Sequence, residues 1–365
     1  MSELIYESAS TVVSLSDDGS DDRTITKRLK PSAQTPSAII RYQREYDLLQ
    51  SLVSPYVCRP VGFDPQKFEL VFPDEGFRSL RDLLSLNSIG VDARIDIAIA
   101  ITTALSSIHE EGVIHRDINP ANLVVRKLTD GTHEVRIIDF GLATLEIRTL
   151  PGEEALTGTL PYVSPEQTGR VNRTVDQRTD LYSLGDTLFE LFADVPPFSQ
   201  TDPLELIHAH IAHPPPSLLE RNTTIPGWLD LIVTKLLQKQ PEKRYQTAQA
   251  VLDDLQVSRN TANVVDFKPG ATDRVEQLVV PQKLYGRTDV TAALAEHMER
   301  SGNGEVLFAN LIGAFGMGKT ATIEHLDRLI SQTNGLKAQI DCAHENFEST
   351  TDLWLRVVTL SLIHI

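Results

Sequence analysis

Cysteine is scarce in this sequence, since Cys58 and Cys342 are the two among its 365 residues. Two cysteines so far apart provide neither a disulfide framework nor the paired spacing of a zinc site. The composition therefore excludes a disulfide-stabilised secreted domain, and it favours a reducing compartment such as the cytoplasm.

Positive charge is also low. Lys and Arg number 34 against 50 Asp and Glu, which gives a formal net charge of −16, and no run of basic residues breaks this balance. Proteins that bind the phosphate backbone of nucleic acids need the opposite balance. We therefore expect no nucleic-acid partner, whereas nucleotide binding stays open because it uses local loops and a metal ion.

The sequence has no long hydrophobic run. The longest apolar helix that it predicts, around 95–105, includes Asp96 and is too short to span a bilayer. The first residues show no basic stretch followed by an apolar core, so no signal peptide is predicted. We expect no membrane segment in this chain.

The length suits two domains, each with a sizeable core. A mixed polar stretch with Pro269-Gly270 and Pro281 indicates the connection between them. The predicted parts are a first domain over 1–257, a linker over 258–284 and a second domain over 285–365. The apolar run at 360–365 is typical of a domain interior, so the second domain is expected to be incomplete.

Three polar motifs occur in the middle of the first domain. They are His-Arg-Asp-Ile-Asn-Pro-Ala-Asn at 115–122, Asp139-Phe140-Gly141 and Ser164-Pro165-Glu166. Their order and spacing resemble the catalytic loop, the metal-binding turn and the closing motif of protein kinases. Each motif is weak by itself, because a bare Asp-Phe-Gly occurs by chance, but three in this order form a specific pattern.

The residue types in these motifs suit phosphoryl transfer. That reaction requires a carboxylate that orients the hydroxyl nucleophile, and oxygen ligands for Mg²⁺ on the triphosphate. Asp117 fits the first role, and Asn122 and Asp139 fit the second. The sequence thus predicts ATP and Mg²⁺ as the cofactors of this domain.

A β-hairpin is predicted between the first two motifs. Two short apolar stretches, 123–125 and 135–138, flank the turn signal Asp130-Gly131. Such a hairpin would place Asn122 and Asp139 at adjacent ends of paired strands, where both could reach one metal cluster. The alternative is an ordinary hairpin with polar flanks.

An ion pair is predicted between a strand and the helix that follows it. The strand 24–30 alternates, and Lys27 lies on the same face as its apolar residues, where a lysine is costly without an anionic partner. Glu45 is the charged member of the inward stripe of a predicted helix over 37–53. The alternative is a half-exposed Glu45, with the Lys27 amine reaching into solvent.

The chain resembles the Ser/Thr protein kinase family across about 5–256. More narrowly, it is similar to the N-terminal part of large sensor proteins that contain a kinase-like domain, a P-loop ATPase domain, and often GAF and histidine-kinase domains. The segments that carry the narrower resemblance are 5–8, 115–120, 159–170, 202–208 and 281–287. The resemblance implies an α+β bilobal kinase-like fold followed by the beginning of an α/β P-loop NTPase domain. It also implies transfer of the γ-phosphoryl group to protein hydroxyls, with protein substrates or downstream sensor and histidine-kinase domains as partners.

The resemblance assigns roles to individual residues. Those implied for catalysis are Asp117, Lys27 and Asn119. Those implied for binding the nucleotide and its metal are Lys27, Glu45, Asn122 and Asp139. Those implied for structure or regulation are Arg116, Thr159, Glu166, Asp180 and Arg244. Among the latter, Glu166 is expected to pair with Arg244, and Asp180 to anchor the catalytic loop while also capping the helix that it opens.

Two departures from the family pattern lead to an alternative function. Asn119 stands where Ser/Thr kinases usually have a lysine that touches the γ-phosphate, and 8–11 has no GxGxxG pattern. The first hypothesis remains an active Ser/Thr kinase. The alternative is a weakly active or inactive ATP-sensing module that regulates a partner domain.

A second nucleotide motif lies beyond the linker. The segment 313–320 fits GxxxxGK[ST], between a predicted strand over 306–312 and a predicted helix over 321–331. The backbone of such a loop cradles phosphates, its lysine reaches the β/γ-oxygens, and its hydroxyl ligates Mg²⁺. The predicted phosphate-binding residues are Gly313, Gly316, Gly318, Lys319 and Thr320, with Thr320 also a metal ligand. A third hypothesis is therefore a P-loop NTPase switch.

Overall fold

The computed structural model describes residues 2–8, 10–16, 23–86, 89–145, 158–171, 173–260, 267–273 and 300. The chain divides into two compact units, Met1–Val275 and Glu276–Ile365. Apart from residue 300, the described residues lie in the first unit. The P-loop motif at 313–320 lies outside the described residues.

The N-terminal lobe is built on an antiparallel sheet of five strands in the order β1-β2-β3-β5-β4. The strands are β1 Ser2–Glu7, β2 Thr11–Ser16, β3 Thr24–Leu29, β4 Gly62–Asp64 and β5 Glu69–Pro73. The central strand β3 pairs with β2 on one side and β5 on the other, with Lys27 opposite Val13 and Leu70. This position fixes the lysine in the middle of the lobe.

The helix α1, Pro36–Ser51, follows β3 and is close to the predicted helix. It begins at a Thr35 N-cap, whose side chain accepts a hydrogen bond from Ala38 N. Its inward stripe buries Tyr42, Glu45 and Leu49. A carboxylate on that stripe needs a cation nearby, and the strand β3 provides it.

The C-terminal lobe is mainly helical. Its helices are α2 Leu80–Ser85, α3 Val91–Glu110, α4 Gln177–Ala193, α5 Pro203–Ala212, α6 Leu218–Arg221, α7 Gly227–Leu236 and α8 Ala248–Asn260. The helices α3 and α4 lie at its centre, with apolar side chains such as Ile101 and Leu188 fully buried. The predicted two-lobed α+β architecture of the first domain is therefore confirmed.

Short strands lie between β5 and α4 and flank the first two polar motifs. They are β6 Arg78–Ser79, β7 Val113–Ile114, β8 Leu123–Lys127, β9 His133–Ile137 and β10 Thr144–Leu145. β8 and β9 form the predicted hairpin, with Leu123 opposite Ile137 and Gly131 at a φ of 89° in its turn. The Ile138 N–H donates to Asn122 O at 2.9 Å, so Asn122, just before β8, and Asp139, just after β9, lie at adjacent strand ends.

The start of α4 corrects one sequence prediction. Asp180 was expected to open and cap this helix, but the helix begins at Gln177, and its N-cap is Asp176, which accepts a hydrogen bond from Arg178 N. Asp180 instead lies inside the first turn and is completely buried. Its carboxylate is thereby free to contact another part of the chain.

The segment 267–273 packs against α7 and α8, within the stretch predicted as a linker. Phe267 adjoins the main apolar core. The hydrogen bonds of the segment are Lys235 Nζ to Pro269 O (2.9 Å), Gly270 N to Asp254 Oδ2 (2.6 Å) and Gln246 N to Asp273 Oδ2 (2.8 Å). The first compact unit accordingly extends to Val275.

No helix in the part of the chain that the structure describes is long and apolar enough to cross a membrane.

Candidate active site

Lys27 contacts two carboxylates from distant parts of the chain. Its Nζ lies 2.7 Å from Glu45 Oε1 and 2.9 Å from Glu45 Oε2, so the predicted ion pair is present. The same nitrogen lies 3.0 Å from Asp139 Oδ1. One ammonium therefore joins β3, α1 and the turn after β9.

The charges in this cluster stabilise one another. Burial by itself would lower the pKa of Lys27, but the carboxylates of Asp139 and Glu45 outweigh it and hold that pKa well above its ordinary value. The Lys27 ammonium in turn lowers the pKa of Asp139. Burial raises the pKa of Glu45, and the contact with Lys27 opposes that rise. Lys27 and Asp139 are thus both charged at neutral pH.

Asp139 has a constrained backbone and an accessible carboxylate. Its φ is 64°, in the left-handed region, which costs an L-residue about 1–2 kcal/mol. A Cβ on the neighbouring Gly141 would lie 3.3 Å from Asp139 Oδ1. Glycine at that position therefore leaves room for the carboxylate, whose side chain is 48% exposed. An exposed carboxylate in a fixed orientation can serve as a metal ligand.

Asp117 is held by hydrogen bonds on both oxygens. Its Oδ1 accepts from Thr159 N at 2.8 Å, and its Oδ2 accepts from Asn122 Nδ2 at 2.7 Å. Asn122 Nδ2 also donates to Asp117 O at 2.8 Å, so the amide nitrogen is engaged and its oxygen is the atom left for a metal. Burial raises the pKa of Asp117, while His115 and the Thr159 hydrogen bonds oppose the rise.

Asp180 anchors the catalytic loop, as expected. Its Oδ2 accepts from His115 N at 2.8 Å and its Oδ1 from Arg116 N at 2.7 Å. His109 Nε2 lies 2.9 Å from the same Oδ2. These contacts hold Arg116 at a φ of 68°, a left-handed conformation that is rare outside glycine.

Asn119 is a buried part of the loop, with 1% of its surface exposed. Its Nδ2 donates to Asp117 O at 3.0 Å and to Thr159 Oγ1 at 3.3 Å. Its Oδ1 accepts from Ala121 N at 2.9 Å. Both amide hydrogens and the oxygen are thus engaged within the protein. This differs from the γ-phosphate contact of the lysine that Ser/Thr kinases usually have at this position.

Glu166 and Arg244 form the predicted ion pair. Arg244 Nη1 lies 2.6 Å from Glu166 Oε1, and Arg244 Nη2 lies 2.9 Å from Glu166 Oε2. Both side chains are buried, and Thr179 Oγ1 donates to the same Glu166 Oε1 at 2.9 Å. This bidentate pair fixes the 3-10 turn Pro165–Thr168 to the helical core.

In the loop 8–11, which lacks the GxGxxG pattern, a serine side chain forms the hydrogen bonds of the turn. Ser8 Oγ accepts from Thr11 N at 2.9 Å and from Ser10 N at 3.2 Å. A side-chain oxygen thus shapes the turn between β1 and β2.

Gln167 was not among the predicted site residues. Its Nε2 donates to Arg116 O at 2.7 Å, which connects the 3-10 turn to the catalytic loop. Ser164 and Gln167 form a capping box. The pattern Ser-x-x-Gln in the sequence is the signal for that box, although it does not indicate the contact with Arg116.

A known protein family and several known proteins match this part of the chain in sequence. The sequence profile of the family described as protein kinase domain matches residues 8–255. The chain is 29% identical to Hybrid signal transduction histidine kinase G of Dictyostelium discoideum over 325 residues, which covers 64% of this chain and 10% of that protein. It is 31% identical to Probable serine/threonine-protein kinase CPE1738 of Clostridium perfringens over 255 residues, 68% of this chain. It is 32% identical to Serine/threonine-protein kinase PknB of Mycolicibacterium smegmatis over 236 residues, 61% of this chain. The matched region is 36% of the length of each of the latter two proteins.

Proposed function

This chain belongs to the protein kinase family and carries a Ser/Thr kinase enzyme domain, and we propose that this domain transfers the γ-phosphoryl group of ATP to hydroxyl groups of proteins. The observation that carries the proposal is the Asp117 carboxylate, which Thr159 N and Asn122 Nδ2 hold on both oxygens. A carboxylate fixed in this way suits the orientation of a substrate hydroxyl and acceptance of its proton. The raised pKa of Asp117 increases its basicity in the same sense.

Lys27 is the proposed ligand of the triphosphate. Glu45 is buried behind it and keeps the ammonium in the cleft, 3.0 Å from the Asp139 carboxylate. A lysine supplies a point charge to phosphate oxygens, and its elevated pKa keeps that charge at any physiological pH.

Asp139 and Asn122 are the proposed Mg²⁺ ligands. Both present oxygen atoms, which hard divalent cations prefer. Among the described residues, no group of three or more His, Cys, Asp or Glu side chains is arranged to hold a metal ion. A pair of protein ligands suits Mg²⁺, which keeps several waters and shares its coordination with substrate phosphates. When bound, Mg²⁺ would neutralise charge on the phosphate oxygens.

The alternative is a module that binds ATP and regulates a partner without efficient transfer. The burial of Asn119 supports it, because the catalytic loop then presents no cation at the position where Ser/Thr kinases usually have lysine. The serine-closed loop at 8–11 supports it as well, since no glycine-rich backbone is available there to cover the phosphates.

We further propose that the kinase domain regulates a larger signalling protein in the cytoplasm. The 325-residue alignment with Hybrid signal transduction histidine kinase G of Dictyostelium discoideum supports a fusion of this type. In that arrangement 313–320 belongs to a P-loop NTPase domain, with Lys319 and Thr320 as its phosphate and Mg²⁺ ligands. Sensor or histidine-kinase domains would be the partners that follow.

A pair of measurements on Asp117→Asn tests the proposed reaction. Both use a Lys319→Ala background, so that the second nucleotide motif contributes no binding. Transfer of radiolabelled phosphate to a basic acceptor protein is expected to fall by at least about 10²-fold, because the amide cannot accept the proton. The thermal shift produced by Mg·ATP is expected to stay near the wild-type value, since Asp117 acts on the hydroxyl and not on the phosphates.

The control is Asp130→Asn, which makes the same chemical change at the exposed tip of the β8–β9 hairpin. Equal transfer by Asp117→Asn and wild type would contradict the mechanism. A wild-type protein that binds Mg·ATP but transfers no phosphate would favour the ATP-sensing module.

A further inference from the structure

We propose that Gln167 is a positioning residue, which holds the peptide group between Arg116 and Asp117 in the orientation that the reaction needs. The inference rests on the proposed function, since it assigns Gln167 a role in aligning Asp117. Gln167 is buried, at 1% exposure, in the 3-10 turn Pro165–Thr168.

The side chain of Gln167 connects two loops. Its Oε1 accepts from Ser164 N and Ser164 Oγ, both at 3.1 Å, within its own turn. Its Nε2 donates to Arg116 O at 2.7 Å in the catalytic loop. The acceptor end is therefore fixed by the turn, and the donor end is aimed at the backbone that leads into Asp117.

The peptide group that Gln167 contacts sets the direction of Asp117. Arg116 O and Asp117 N belong to one rigid planar unit, so a hydrogen bond to the oxygen fixes the nitrogen as well. Arg116 has a φ of 68°, and its own N–H donates to Asp180 Oδ1 at 2.7 Å. Asp180 thus holds the peptide before Arg116, and Gln167 holds the peptide after it. Together they maintain a backbone conformation that an L-residue rarely adopts.

The turn that carries Gln167 is itself rigid. The neighbouring residue Glu166 makes the buried bidentate pair with Arg244, which ties the turn to the helical core. Gly158 completes the arrangement, because its φ is 108° and a Cβ there would lie 3.3 Å from Arg116 O. Gly158 therefore lies close to the same carbonyl that Gln167 binds.

The test compares three single substitutions in the full chain. Gln167→Glu keeps the acceptor that faces Ser164 but replaces the donor with an oxygen that faces Arg116 O. Ser164→Ala weakens the same turn and leaves the bond from Gln167 to Arg116 in place. Gln66→Glu is the control for added charge, because it makes the same replacement of glutamine by glutamate on an exposed turn of the N-terminal lobe.

We expect Gln167→Glu to lower kcat for phosphoryl transfer by about tenfold or more, because a small displacement of a catalytic group has a large effect on rate. The KM for ATP should change by less than about twofold, since the phosphate ligands are not involved. Ser164→Ala should lower the melting temperature while kcat stays within about twofold of wild type, and Gln66→Glu should match wild type in both. A wild-type kcat in Gln167→Glu, or an equal loss of kcat in Ser164→Ala, would overturn the proposal.

Amide hydrogen exchange provides a second measurement that does not depend on transfer. Exchange in a peptide that spans 115–122 is expected to be faster in Gln167→Glu than in wild type and Ser164→Ala. Gln167→Met, an uncharged side chain of similar length, is the variant to use if the glutamate variant does not fold. If wild type transfers no phosphate, the proposed function fails, and the exchange data still decide the role of Gln167. Equal exchange in all variants would show that the bond to Arg116 does not position the loop.

Discussion

Asp139 Oδ1 lies 3.0 Å from Lys27 Nζ, although 112 positions separate the two residues in the sequence. The contact brings a strand of the N-terminal lobe to the turn that follows the β8–β9 hairpin. The same ammonium is held from behind by the buried Glu45 carboxylate. Lys27 therefore lies between two carboxylates, of which that of Asp139 is the more exposed.

Substitution of Asp139 should remove metal-dependent nucleotide binding. Asp139→Asn deletes the exposed carboxylate proposed as the principal Mg²⁺ ligand, and the neutral amide is a poor substitute for a hard cation. In a Lys319→Ala background, the thermal shift produced by Mg·ATP is expected to disappear. Asp130→Asn at the hairpin tip is the matched control and should keep the shift. A full shift in Asp139→Asn would place the metal on other residues.

Restoring the usual lysine at position 119 should not accelerate transfer. Asn119 is buried, and its amide makes three hydrogen bonds within the loop, so Asn119→Lys leaves Ala121 N without its acceptor and adds a charge to a packed site. We expect the unfolding free energy to fall by about 1–3 kcal/mol, with no increase in kcat.

Asn119→Ala separates the two effects of that substitution, since it removes the hydrogen bonds without adding a charge. It should destabilise the protein to a similar or smaller extent. Steady-state kinetics and chemical denaturation of both variants make the comparison. A gain in kcat for Asn119→Lys would mean that the new ammonium reaches the γ-phosphate after all.

The segment 267–273 should contribute to the stability of α8. Asp273 Oδ2 accepts from Gln246 N at 2.8 Å beside the start of that helix, where a carboxylate is favourable. Asp273→Ala is expected to lower local stability by about 1–2 kcal/mol, measured as faster amide exchange over 248–260. Asp253→Ala removes a partly exposed carboxylate from the same helix and serves as the control. Identical exchange in Asp273→Ala and wild type would mean that the segment does not brace the helix.

His210 should make stability depend on pH. The imidazole is completely buried on α5, with the Lys239 ammonium nearby, and burial followed by that charge lowers its pKa to about 3. The unfolded chain binds the proton at about pH 6.5, whereas the folded chain does not. His210 therefore contributes its full stability above pH 6.5, and this contribution is lost as the pH falls towards 3, by about 1.4 kcal/mol per pH unit.

The contribution of His210 is measured as the difference between the unfolding free energies of wild type and a variant that lacks the imidazole. The buried Asp186 carboxyl has a pKa raised well above its ordinary value by burial, so it favours the folded state as the pH falls and opposes the effect of His210. Denaturation of wild type and His210→Gln between pH 7 and 5 isolates the histidine, because Asp186 is present in both. Relative to the variant, wild type should lose about 2 kcal/mol over that range. His208→Gln, on the exposed side of the same helix, should follow the wild-type profile.

Local patterns in the sequence determined a large part of the first domain. Alternation along 24–30 placed Lys27 on the apolar face, and the helical stripe that follows placed Glu45 opposite it. The turn signal Asp130-Gly131 predicted the hairpin, and hence the adjacent positions of Asn122 and Asp139. These predictions succeeded because side-chain periodicity and turn chemistry act over a few residues and are visible in the chain itself.

Contacts between distant segments were decided by the tertiary structure. The helix of Asp180 begins at Gln177, so a residue that suits a cap became a buried anchor for the backbone of the catalytic loop. Packing of the loop against Thr159 enclosed Asn119, for which the family resemblance implied a role in catalysis. The bond from Gln167 to Arg116 spans 51 positions. No periodic pattern encodes such a contact, because it depends on how separately formed segments pack and on which buried donors then need acceptors.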